Sequence, residues 1–191
     1  MISFAEQNLS LPPNGITAAD YDRMPVEVCR RIEVVDGRPI VSPSDTPRHN
    51  GIAHGLGMAL ERSLPPPWDV TGGVDLRLSE VPLTNRRPDV MVYRGDRRKI
   101  PVLPADVLLI VEVMGMVSMT TDKFDKPAEY AHAKIPHFWR VEQHEDDLIL
   151  FTYRLDRPTR RYLLTGVHPG AVRIAEPFTA EIDLAALTTT G

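Results

Sequence analysis

Residues 107–114 read VLLIVEVM, an apolar run broken once, by Glu112. A run this apolar suits a central strand whose sheet is covered on both faces. A carboxylate inside such a strand costs free energy unless a cation, a metal or hydrogen bonds compensate it. Whatever fold the chain adopts must therefore bring a partner to Glu112. A second acid, Asp89, opens the apolar run of RRPDVMVY, and Lys126 follows in a short helical stretch. Two acids on candidate neighbouring strands suggest a shared purpose, and a divalent metal is the simplest one. Taken singly, Asp89 reads equally well as a strand-start acid pairing with Arg86 or Arg87. Lys126 taken singly reads as a solvated helix residue.

The chain has 191 residues, enough for one domain with a sizeable core. Its 42% hydrophobic and 25% charged content is that of an ordinary globular protein. A net charge of −4 supplies no global attraction to nucleic acid or anionic membranes, although a nuclease needs only a local basic groove. The single Cys29 excludes an internal disulfide framework and suits a reducing compartment. MISFAEQNLSLPPNG lacks the basic and apolar regions of a signal peptide, and no apolar run approaches the ~20 residues that span a bilayer. The expectation is a cytoplasmic protein without a membrane partner.

Residues 1–16 read as a flexible arm and 17–191 as a single domain. Thr17 is a helix N-cap with Asp20 in the capping-box position. RRIEVVDGRPIVS predicts a hairpin turning at Asp36-Gly37 in type I′ geometry, with Glu33 on the opposite face from Ile32 and Val34. Helical spacing of Ile52, Leu56, Leu60 and Leu64 predicts a helix over about 47–64, in which Gly51, Gly55 and Gly57 require close packing to compensate poor propensity. WDVTGGVDLRL predicts one or two strands; PDVMVY, VLLIVEVM and PHFWRVE predict further strands, the second of them central. TTDKFDKPAEYAHAKI predicts a helix, and LILFTYR, RRYLLTGV and AVRIAEPF a trailing antiparallel meander. The sum is an α+β fold with one mixed β-sheet flanked by helices.

Five segments in order, IEVVDG, PRHNG, RRPDVMVY, LLIVEVM and D-x-x-x-K-P-x-x-Y followed by IPHFWRVE, resemble the Uma-two family. The likeness runs from about Tyr21 to Val141, and PFTAEIDLAAL is similar to family C-termini. The resemblance implies a restriction-endonuclease-like fold of the PD-(D/E)xK superfamily. It further implies a Mg²⁺-dependent (or Mn²⁺-dependent) phosphodiesterase acting on DNA, and a homodimer, since cutting both strands usually takes two sites.

Carried over position by position, Asp89 and Glu112 match the two metal-binding acids, with the Val113 carbonyl as a third oxygen donor. Lys126 matches the lysine that stabilises developing charge. Glu33 matches a first-strand acid able to join the metal site, and His49 a recurrent position able to contact phosphate or shuttle a proton. The chain departs from the pattern where Met114 stands two residues after Glu112, moving the lysine onto the next helix. It departs again in GMVSMTT, where Met116 replaces a common proline and Ser118 follows. Asp122, Lys126 and Tyr130 are spaced to share a helix face, but Pro127 predicts that the helix either starts near Lys126 or kinks there. Tyr130 reads as a half-buried ring with its hydroxyl at the rim. The basic clusters Arg86/Arg87, Arg94/Arg97/Arg98/Lys99 and Arg157/Arg160/Arg161 read as solvated faces or, if they converge beside the acids, as a phosphate grip. The competing reading is a catalytically weak or inactive member of the same fold that binds nucleic acid or protein; a third is an unrelated small metallohydrolase or a β-rich structural protein using His49 and Glu33.

Overall fold

The computed structural model describes residues 14–41, 46–114, 121–144 and 147–188, and of residues 121–124 the backbone alone. Most of the expected N-terminal arm, and the turn holding Met116 and Ser118, lie outside the described residues. The chain opens with α1 (Ala18–Tyr21), α2 (Val26–Cys29), β1 (Ile32–Val35), β2 (Arg38–Val41) and α3 (Pro47–Glu61). Then come β3 (Asp69–Thr71), β4 (Leu76–Glu80), β5 (Leu83–Arg86), β6 (Val90–Tyr93) and β7 (Val107–Met114). Helix α4 (Thr121–His132) leads into β8 (His137–His144), β9 (Asp147–Asp156), β10 (Arg161–Pro169), β11 (Ala171–Ile174) and β12 (Ala180–Asp183).

Two compact units result, one of Met1–Pro43 with Arg77–Arg86, the other of Ser44–Leu76 with Arg87–Gly191. In the first, the Thr17 side chain accepts from the Asp20 amide at 3.2 Å while Asp20 accepts from the Thr17 amide at 3.1 Å. That is the expected capping box, and it holds a helix of only four residues. The hairpin β1–β2 also forms as expected. Asp36 and Gly37 both have positive φ, 49° and 74°, as a type I′ turn demands. Strands run in the order β2-β1-β5-β4. Ile16, Tyr21, Val28, Ile32, Val34 and Leu83 make the core of this unit.

Sequence reading expected one mixed sheet, whereas three sheets are present among the described residues. The reason is β5: its LTNR carries too few apolar residues to read as a strand, yet all four are buried. It pairs with β1 and so gives the first hairpin a sheet of its own.

In the second unit a six-stranded sheet runs β10-β9-β8-β7-β6-β3. The β7–β8 pair is parallel and the other pairs are antiparallel, so the sheet is mixed, and β7 is an interior strand as its composition requires. Alternation sorts β7 cleanly. Leu109, Val111 and Val113 join Val90, Val92, Trp139 and Val141 on the face that α3 covers with Ile52, Leu56 and Leu60. Each such fully buried aliphatic side chain contributes about 1.5–3 kcal/mol. Of the helix glycines only Gly55 meets the expected close approach: a Cβ there would strike Leu187, while Gly51 and Gly57 face open space. Even-numbered Glu112 therefore points to the other face, toward α4. The expected meander divides, with β9 and β10 extending the main sheet and β11 and β12 forming a separate two-stranded sheet.

Candidate active site

The site begins where β6 begins, at the Pro88-Asp89 step. Continuing the β6–β7 register of Val90 with Val111 sets Pro88 opposite Val113. Proline has no N–H to give the ladder, and its carbonyl is taken by the Gly73 amide at 2.9 Å. Val113 would therefore leave a donor and an acceptor unmet beside the strand end, where each carries a desolvation cost of about 1–3 kcal/mol. Two side chains take these groups. Asp89 Oδ2 accepts the Val113 amide at 2.7 Å, and His49 Nε2 donates to the Val113 carbonyl at 2.8 Å. His49 Nε2 also lies 3.2 Å from Asp89 Oδ2. Because a carbonyl only accepts, the Nε2 nitrogen carries a proton. His49 reaches this point from the first turn of α3, which is set by the Thr46 side chain accepting the His49 amide at 3.2 Å. Among the described residues Asp89 has no arginine partner: Arg86 goes to Glu33, and Arg87 to the Gly73 carbonyl and, at 3.7 Å, to Asp75.

One residue earlier on β7, Glu112 is 4% exposed and is met from α4. Tyr130 Oη donates to Oε1 at 2.6 Å, and Lys126 Nζ lies 3.4 Å from Oε2. Lys126 and Tyr130 sit one turn apart and so share a helix face. The helix runs from Thr121 through Pro127 to His132, so it does not start at Lys126. The side chain of Asp122, expected on the same face, lies outside those described. Tyr130 is fully buried rather than at the rim, and its hydroxyl is a direct partner of the acid. Sequence spacing had placed Tyr130 on the face of Lys126; its contact with Glu112 depends on the depth at which α4 packs, which spacing does not encode.

Glu33, in the first unit, is 5% exposed and forms an ion pair with Arg86 at 2.9 Å; both side chains are buried. The other arginines divide similarly. Arg97 is bound by Asp69 and Arg94 lies 3.7 Å from Asp106, so both have local acid partners.

Among the described residues no three His, Cys, Asp or Glu side chains gather as a metal cage. A hard cation such as Mg²⁺ does not require one, because it keeps several waters and takes one or two carboxylates. The donor set here suits it: Asp89, Glu112 and the Val113 carbonyl are all oxygen donors. The Asp89 Oδ1 atom accepts no hydrogen bond among the described residues, since both its polar contacts are on Oδ2.

The second unit thus combines a mixed sheet, an acid buried in an interior strand, a second acid at the neighbouring strand's start and a lysine from the flanking helix, in an α+β fold. A crystal structure titled as that of "a putative nuclease belonging to DUF820" from Anabaena variabilis has this fold. It matches with TM-score 0.65 and 13% identity, covering 91% of this chain and 99% of that one. The model of the Uma2 family, described as "Putative restriction endonuclease", matches residues 18–187, and the chain belongs to that family. No curated protein matches it. Among the described residues no helix is long and apolar enough to cross a membrane.

Proposed function

We propose that the chain is a Mg²⁺-dependent endonuclease, also served by Mn²⁺, that hydrolyses DNA phosphodiester bonds at a site of Asp89, Glu112 and Lys126. The observation that carries this reading is Glu112, a carboxylate inside the most apolar strand of the sheet and engaged by a lysine and a tyrosine. Asp89, Glu112 and the Val113 carbonyl would hold the ion, which when bound polarises the scissile phosphate and lowers the pKa of a water. The chain's own groups do the rest. Tyr130 fixes the orientation of the Glu112 carboxylate, and His49 fixes Asp89 together with the Val113 carbonyl. Lys126 supplies a point cation for charge that develops on the phosphoryl oxygens. Glu33, already engaged by Arg86, acts in this reading as a structural acid. The protein works in the cytoplasm as a homodimer, whose contact is the outer strand β10 with Leu163, Leu164 and Val167 about half exposed.

A second reading, a binding module without catalysis, is favoured by the ties already on the donor atoms: Asp89 Oδ2 and the Val113 carbonyl are hydrogen-bonded and Lys126 neutralises Glu112. Calorimetric titration with Mn²⁺ tests the choice. The nuclease reading expects saturable binding that Asp89→Asn and Glu112→Gln each abolish. Absence of binding in the wild-type chain, together with salt-dependent DNA binding, decides for the module.

A further inference from the structure

Glu112 has a neighbour that sequence reading passed over. In the parallel β7–β8 ladder its register partner is Arg140, and residues paired in register point to the same face. The alternation agrees, since Trp139 and Val141 on either side of Arg140 face the α3 core. Arg140 is thus a second cation on the Glu112 side of the sheet, one strand over.

Its guanidinium is held more firmly than a surface arginine. It lies over the Phe151 ring at 4.9 Å and the Tyr153 ring at 5.6 Å from their centroids, both on β9. Its Nη2 binds Glu142 Oε1 at 2.9 Å, two residues along the same strand. The Arg140 side chain is only 15% exposed, yet Nε is buried with no hydrogen-bond partner among the described residues. A guanidinium carries five N–H donors in a rigid fork; Glu142 takes one through Nη2 and the Tyr153 hydroxyl accepts another, which leaves further donors for a ligand. Stacking fixes the plane, which lowers the entropy lost when a ligand oxygen binds. An oxyanion is the ligand class that a pre-set fork with donors to spare recognises best.

We propose that Arg140 is a phosphate-contacting residue of the site, binding a backbone phosphate of duplex DNA whose scissile neighbour lies at Glu112. This rests on the nuclease reading. Lys126 serves the reacting phosphate from the helix side, and Arg140 holds the strand from the sheet side. Its effect is on substrate binding, whereas loss of Lys126 acts on the chemical step.

The test uses full-length protein carrying Glu112→Gln, so that DNA is bound and not cut. Affinity for a short duplex is measured against salt concentration by fluorescence anisotropy. Each phosphate neutralised contributes a slope of about −0.9 in log K against log salt. Arg140→Met, which keeps the stem between the two rings, is expected to flatten the slope by about 0.9. Arg140→Lys, which keeps the charge, is expected to retain the parent slope. An unchanged slope in Arg140→Met overturns the assignment, and a slope flattened equally in both variants assigns the effect to packing and overturns it too. If Arg140→Met fails to fold, the Arg140→Gln/Glu142→Gln pair leaves no charge uncompensated and carries the same expectation. Failure of the parent protein to bind DNA at all removes the nuclease reading, and the Arg140 assignment with it. Binding with an unchanged slope removes Arg140 alone.

Discussion

Replacing Lys126 by Met removes the ammonium that pairs with Glu112 and leaves a carboxylate 6% exposed at its side chain. Stripping one partner from a buried pair costs about 3–5 kcal/mol. The structure argues for a value at or below the bottom of that range. Tyr130 still donates to Oε1 at 2.6 Å, and a hydrogen bond to a charged group retains about 1.5–3 kcal/mol. The Nζ–Oε2 separation of 3.4 Å is also long for a charge-assisted bond. The expected destabilisation is therefore about 2–3 kcal/mol, which for a chain of this size lowers Tm by about 5–10 °C. Adding Glu112→Gln removes the stranded charge, so the double variant should recover most of the loss and show a coupling of about 2 kcal/mol. Urea unfolding followed through Trp139, 1% exposed in the same sheet, measures all four corners of the cycle. Additive effects, or a Lys126→Met loss below about 0.5 kcal/mol, would refute the picture of a buried, compensated acid.

Three further outcomes are expected. Arg86→Met should cost about 3–5 kcal/mol by stranding Glu33, and Glu33→Gln in the same chain should restore most of it while leaving DNA cleavage intact; loss of cleavage in the restored double variant would return Glu33 to the metal site. Gly72→Ala places a Cβ against the Asp89 carbonyl, so it should displace Asp89 and slow cleavage about 100-fold, with unchanged cleavage as the contrary result. Burial is the main cause that pushes the His137 pKa below its ordinary 6.5, with Glu176 opposing and Arg154 reinforcing. Between the two values the unfolded chain binds the proton more readily, so stability that is full above 6.5 declines as pH falls through the lowered value. His137→Gln should flatten that decline in urea midpoints measured from pH 7.5 to 5, and an equal decline in both proteins would remove His137 as its source.

Strands and helices with apolar periodicity were legible before the structure. VLLIVEVM announced an interior strand, Ile52, Leu56 and Leu60 announced α3, and Asp36-Gly37 announced its turn, because each signal is local. The capping box at Thr17 was legible for the same reason. β5 was not, since LTNR gains its burial from β1, far away in sequence. Glu33 illustrates a related limit: its acid character and strand position could be read, but its partner Arg86 is 53 residues on. At the site, the need for a partner at Glu112 followed from burial alone, while Tyr130 and Arg140 depended on helix depth and strand register. Asp89 had a more particular meaning than its motif suggested. Pro88 ends the ladder, and Asp89 accepts the Val113 amide that the ladder leaves open.

Cleavage of supercoiled plasmid by the purified chain, with Mg²⁺ and then with a chelator, tests the central claim most directly. The account predicts nicked or linear product with Mg²⁺ and none with chelator. It also predicts that Glu112→Gln and Asp89→Asn, each shown to be folded, are inactive. Cleavage that survives in either folded variant would contradict a site built on Asp89 and Glu112.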